Sequence, residues 1–224
     1  MAALKGAFIN MGAGLLGALP NIIVFQFNPD RMTRTPTIAQ PPPPSNGSGS
    51  RDAQQQPGNP SESFSFTLRI DATDQLARGN PLAAASGILP TLSALELLMV
   101  PQGSLGSALS SALSSLTGSS SSEAHKNPPA RLPVTLFIWG PFRVLPVNIT
   151  SLSITETEYD QLLNPIRAEV SVGMQVLTPS QLAKDATIAR GAYTYSMSVK
   201  EAMAALNLAN AVEFGVSASL SISF

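Results

Sequence analysis

Ser63-Phe64-Ser65-Phe66-Thr67-Leu68-Arg69-Ile70 puts its large apolar side chains on even positions and its polar ones on odd positions. A β-strand turns successive side chains to opposite faces, so this octet reads as a strand with one face in a core and one in solvent. The same period of two runs through residues 166–177, where Ala168, Val170, Val172, Met174 and Val176 alternate with Glu169, Ser171, Gly173 and Gln175. Residues 132–139 are apolar on both faces, as in a strand covered on both sides. Residues 144–157 continue with Val147 and Ile149, then Leu152 and Ile154. These last two segments read as a hairpin turning at Gly140-Pro141, with Phe137, Trp139 and Phe142 clustered at the turn. Segment 166–177 should pair with the strand before it. The expected fold class is mainly β, of the α+β type, a barrel or sandwich with one or two helices.

Helix is expected over residues 82–99, where Leu89, Leu92, Leu95 and Met99 recur at helical spacing and Pro90 marks the start. A second helix is expected over residues 199–211. Residues 212–224 alternate again, with Phe214, Val216, Ala218, Leu220 and Ile222 between small polar residues, and read as a strand or arm whose edge needs a partner. Two low-complexity insertions divide the chain. The first, about residues 33–61, contains Pro41 to Pro44, a Gly-Ser run and Gln54-Gln55-Gln56, and buries too little apolar surface to order itself, so a mobile loop is expected. The second, about residues 103–131, is serine-rich, with Leu105, Leu109, Leu113 and Leu116 at helical spacing. The expected organisation is a glycine-rich apolar arm over residues 1–20, a β domain over residues 21–178 carrying both insertions, and a helix-and-strand extension over residues 179–224.

Composition narrows the function classes. The 224 residues are 44% hydrophobic and 12% charged, with a formal net charge of −1, so there is no field to attract nucleic acid or anionic lipid. A surface so poor in charge suits a protein covered by neighbouring subunits. The absence of cysteine removes disulfides, thiolate nucleophiles and Cys-based zinc sites, and fits a cytoplasmic protein. The single histidine, His125, sits beside Lys126 in the serine-rich insertion and reads as a solvated loop residue.

The apolar run behind Lys5 is broken by Asn10, glycines, Pro20 and Asn21, which suits neither a spanning helix nor a signal peptide. Gly12-Ala13-Gly14-Leu15-Leu16-Gly17 matches a dinucleotide-binding pattern, but Pro20 stops the helix that such a loop requires, so the glycines are read as close packing of an N-terminal arm. Asp71 with Asp74 fits a turn and helix cap, and Glu156 with Glu158 a solvated strand face. Asn148-Ile149-Thr150 is a glycosylation sequon without a secretory route to use it. No catalytic residue, cofactor or metal is expected.

The order of segments resembles the N-terminal tube domain of contractile injection system hub proteins, which are phage-tail-like. The resemblance rests on Val24-Phe25-Gln26-Phe27-Asn28-Pro29, on Phe66-Thr67-Leu68-Arg69-Ile70-Asp71, on Leu132-Pro133-Val134-Thr135-Leu136-Phe137-Ile138-Trp139-Gly140, and on Asn164-Pro165-Ile166-Arg167-Ala168-Glu169-Val170. It covers roughly residues 20–178 and marks Phe27, Asn28, Pro29, Trp139, Gly140, Pro165, Arg167 and Ala168 as motif positions. It implies a phage tail-tube-like β barrel working as a homo-oligomer, a six-fold ring, that joins the inner tube to the baseplate hub and spike. The partners implied are tube, spike or hub and baseplate subunits, with no nucleic acid and no lipid required, and the place is a cytoplasmically assembled injection particle. The LysM domain often found after the tube domain has no evident counterpart after Leu177, which opens two alternatives, a tube-terminating cap adaptor of the same machine and a peripheral membrane-associated protein. Both terminal arms are expected to reach adjacent rings.

Overall fold

The computed structural model describes residues 4–11, 21–38, 59–101, 132 and 134–213, with side chains described as far as residue 207. Its strands are β1 (Ala7–Asn10), β2 (Asn21–Val24), β3 (Met32–Thr37), β4 (Ser61–Asp71), β5 (Thr135–Ile138), β6 (Val144–Tyr159) and β7 (Pro165–Val176). They form one antiparallel sheet in the order β2-β1-β5-β6-β7-β4-β3. The helices are α1 (Thr73–Ala77), α2 (Pro81–Ser86), α3 (Leu89–Glu96) with a 3-10 turn Leu97–Met99, and α4 (Thr187–Glu213). The chain is therefore mainly β, as its alternation predicts.

The sheet coils strongly. Three strands separate β1 from β4 in the hydrogen-bonding order, which in a flat sheet would hold them roughly 19 Å apart. Yet Phe8 on β1 stacks on Phe66 of β4 with ring centroids 6.2 Å apart. Phe8, Phe25, Phe64, Phe66 and Phe137 form the centre of the enclosed core, and the inward residues of β7 and β4 complete its wall. Leu92 and Leu95 of α3 and Leu98 of the 3-10 turn enter the same core.

Long strands must stay in phase with that core. On β6, Val147 and Ile149 face it from odd positions, but Leu152 and Ile154 from even ones. The register slips between Ile149 and Ser151, so a β-bulge at Thr150 re-phases the strand. Gly173 lies opposite, where a Cβ would come 2.3 Å from Ser151 Oγ.

β5 is buried on both faces for a separate reason. Its Phe137 faces the main core, while Leu136 faces a second cluster with Leu182 and with Ala189 of α4. From there α4 crosses the barrel. Ser196 Oγ accepts from Val144 N–H at 3.1 Å and donates to Val144 O at 2.6 Å, and Lys200 Nζ reaches Glu62 Oε2 on β4 at 2.6 Å.

Several expectations change. Residues 7–10 are an interior strand between β2 and β5, with Phe8 fully buried, so this part of the expected arm belongs to the sheet. Residues 33–37 belong to β3, because the edge of β4 offers them a ladder that the insertion's composition does not reveal. The helix expected over residues 82–99 is divided at Gly87, whose φ of +55° suits glycine and whose Cβ would stand 2.1 Å from Pro165 O. Pro90 does open α3. The second helix begins at Thr187, twelve residues earlier than its apolar pattern suggests, and includes Val212 and Glu213. Phe142 is exposed and leaves the aromatic cluster, whereas Trp139 stacks on Phe137 at 6.1 Å. The Gly12–Gly17 motif, His125, the leucines of the serine-rich insertion and residues 214–224 lie outside the described residues.

Candidate assembly interface

A coiled antiparallel sheet closes only if its first and last strands meet. Here β2 does not pair with β3 or β4 by a backbone ladder. A side chain substitutes for it. Gln26, just after β2, accepts from Asp71 N–H through Oε1 at 2.9 Å and donates through Nε2 to Asp71 O at 2.7 Å. A primary amide that both accepts from and donates to one residue reproduces an antiparallel ladder pair, so one glutamine joins the end of β2 to the end of β4.

Most of the positions marked by the resemblance gather around this seam. Asn28 accepts from Gly6 N–H at 3.0 Å and donates to Leu4 O at 2.8 Å, tying the lead-in of β1 to the segment after β2. Gly6 lies under Trp139, whose ring would be 2.8 Å from a Cβ there, so the Asn28 and Trp139 motifs meet on one glycine. Trp139 also faces Phe25, with centroids 6.5 Å apart. Gly140 takes φ +68° in the β5–β6 turn, as a tight reversal requires.

On the other side of Gln26, Phe27 and Pro29 overhang a cavity of about 500 Å³ floored by Ile70, Arg167 and Ala168. Phe27 is half exposed, and Ala168 is fully buried. Arg167 Nε donates to Asp71 Oδ2 at 2.8 Å, and its NH1 bonds Glu158. Asp71 Oδ1 accepts from Thr73 N–H at 2.7 Å, confirming its turn role ahead of α1. The Asp71 carboxyl is held below the ordinary aspartate range, first by hydrogen bonding from Thr73 and then by Arg167. Pro165 stands apart from this cavity and accepts from Ile88 N–H at 2.9 Å, docking the helical segment on β7.

The β6–β7 turn is fixed by another carboxylate. Asp160 Oδ1 accepts from Leu162 N–H at 2.7 Å and Asn164 N–H at 2.8 Å, while Oδ2 accepts from Asn164 Nδ2 at 2.9 Å. The turn presents Leu162 and Leu163 to solvent, Leu163 with φ +63°.

Gln26, Gly6, Glu62 and Lys200 are structural determinants that sequence reasoning did not single out. Gln26 leaves a trace, as the polar residue between Phe25 and Phe27. Glu62 leaves almost none: it is buried and ion-paired with Arg34 and Lys200, which lie 28 and 138 residues away. Among the described residues no cluster of His, Asp and Glu could hold a metal, and no helix is long and apolar enough to cross a membrane. The outer face of β4, β7 and β6 is polar and hydroxyl-lined, and there Thr67 Oγ1 and Ser171 Oγ stand 3.2 Å apart. No protein-family model and no curated protein matches the chain.

Proposed function

We propose that this chain is a structural subunit of a phage-tail-like contractile injection system, acting in a ring that joins the inner tube to the baseplate hub and spike. The observation that carries the reading is convergence. The segments on which the family resemblance rests are separated by as many as about 140 residues, yet Asn28 and Trp139 meet at Gly6, and Phe27, Pro29, Arg167 and Ala168 surround one cavity beside the Gln26 clamp. Motif positions gathered beside the closing seam suit a tube-type domain, because a ring subunit must present rigid edges to its neighbours. The sparse charge of the chain supports extensive coverage by other subunits.

The test is location. An epitope inserted at residue 118 in the serine-rich segment is followed by gold-labelled negative-stain microscopy of sheathed particles pelleted from a gentle lysate. Label at the spike end supports the hub position, and label at the blunt end moves the subunit to a cap adaptor of the same machine. Absence from every sheathed particle overturns the assignment.

A further inference from the structure

Glu62 continues the inward row of β4 ahead of Phe64 and Phe66, so it sets a buried carboxylate in the barrel mouth where that strand begins. Three cations converge there. Arg34 of β3 and Lys200 of α4 each bond one Glu62 oxygen. Arg143, the residue before β6, holds its guanidinium 5.7 Å from the Phe64 ring centroid, and the one acceptor it reaches among the described residues is Met32 Sδ at 3.9 Å. An arginine has five N–H donors, and a thioether is a weak acceptor for any of them. Burial first, and then the Arg34 charge, holds Arg143 below the ordinary arginine range against the pull of Glu62. The rim of the mouth is apolar. Phe142 is 60% exposed, the half-exposed Tyr195 donates its hydroxyl to Pro141 O at 2.9 Å, and the exposed Met203 follows Lys200 by one helical turn. Surplus arginine donors inside an aromatic rim suit a carboxylate carried on another protein surface.

The far end of β6 carries the complement. β6 is 16 residues long, with Arg143 before its start and the β6–β7 turn after its end. Glu156, Glu158 and Asp160 cluster at that end, and Arg167 is the one cation bonded to them among the described residues. Beside them Tyr159 is half exposed, and Leu162 and Leu163 are 75% and 79% exposed. The turn is rigid. Asp160 accepts three hydrogen bonds across it, and Leu163 is held at φ +63°, a left-handed conformation that a branched side chain adopts only at a cost. A strained turn that displays two leucines beside carboxylates adds nothing to its own core.

We propose that copies of this chain associate head to tail, the β6–β7 turn of one seated in the barrel mouth of the next, its carboxylates toward Arg143 and its leucines on the apolar rim. This inference rests on the ring reading and names its subunit contact. The two patches match in charge and in apolar surface, and they lie at opposite ends of one strand. The contact is therefore heterologous, the kind from which a closed ring is built.

The test uses two full-length variants, each with one patch spoiled. Arg143→Glu spoils the mouth and keeps the turn; Leu162→Lys with Leu163→Gly spoils the turn and keeps the mouth, and glycine suits the left-handed φ. Sedimentation velocity should show the unaltered chain assembled and each variant alone as monomer, with association weakened by roughly tenfold or more. Mixed together, they should form a one-to-one heterodimer and nothing larger, because one sound mouth meets one sound turn. If Arg143→Glu fails to fold by circular dichroism, Arg143→Met takes its place, keeping an apolar stem over Phe64 without the charge. Assembly of either variant alone, or a mixture that stays monomeric while the unaltered chain assembles, overturns the head-to-tail contact and leaves the ring reading standing. An unaltered chain that stays monomeric at every concentration overturns both.

Discussion

The two halves of the sheet solve the same packing problem with different means. β4, β6 and β7 are 11, 16 and 12 residues long and hold one another by extended ladders, with a clean division between core face and hydroxyl-bearing outer face. β1, β2 and β5 have four residues each, too few for ladders to dominate. They are held instead by aromatic stacking around Phe137, by α4 on the outer side of β1 and β5, and by the Gln26 and Asn28 side chains. The long half distributes its stability over many cross-strand pairs, whereas the short half concentrates it in a few residues. Single substitutions should therefore hurt the short half more.

Phe137→Ala is the most severe test of that contrast. The ring touches Phe8, Phe25, Phe64, Phe66 and Trp139, so its removal leaves a cavity that rigid aromatic neighbours fill poorly. A loss of about 3–5 kcal/mol in denaturant unfolding is expected. A cost well below that, comparable with a conservative change such as Val172→Ala in the long half, would break the comparison.

Gln26→Ala removes two hydrogen bonds at the seam and should cost about 1–2 kcal/mol. Its sharper signature is local. Amide hydrogen exchange should rise at Asp71 and along β2 while the β6–β7 ladder stays protected. Uniform deprotection across the sheet would mean that the seam and the ladders open together.

The smallest effect is electrostatic. Because the folded state lowers the Asp71 pKa, this group stabilises the fold above the ordinary aspartate range, and the contribution disappears as pH falls through the lowered folded value. Asp71→Asn should flatten the stability–pH curve on its acid side and leave the neutral-to-basic part parallel to that of the unaltered chain. An unchanged acid limb would show that Thr73 and Arg167 do not hold the carboxylate in solution.

The long half was legible in the sequence because its chemistry is periodic. The alternations of residues 63–70 and 166–177 match β4 and β7, and even the bulge on β6 left a mark in the passage from Val147 and Ile149 to Leu152 and Ile154. The short half was harder. Four residues such as Ala7-Phe8-Ile9-Asn10 carry too little pattern to separate a central strand from an apolar arm, and Phe8 is recognised as core only when β2 and β5 flank it. The seam was half legible: its motif positions were marked, but the Gln26 clamp was not, since one polar residue between two phenylalanines does not announce which backbone it will bond.

By itself the sequence determined the mainly β class, the long strands, the hairpin at Gly140-Pro141 and the helix start at Pro90, all of which follow from neighbours within a few positions. Only the tertiary structure decided that residues 7–10 lie inside the sheet, that residues 33–37 pair with β4, that Gly87 divides the helical segment and that Glu62 joins Arg34 to Lys200. Each of these depends on which distant backbone or charge comes within about 3 Å, and that distance is fixed by the coiling of the whole sheet rather than by any local preference.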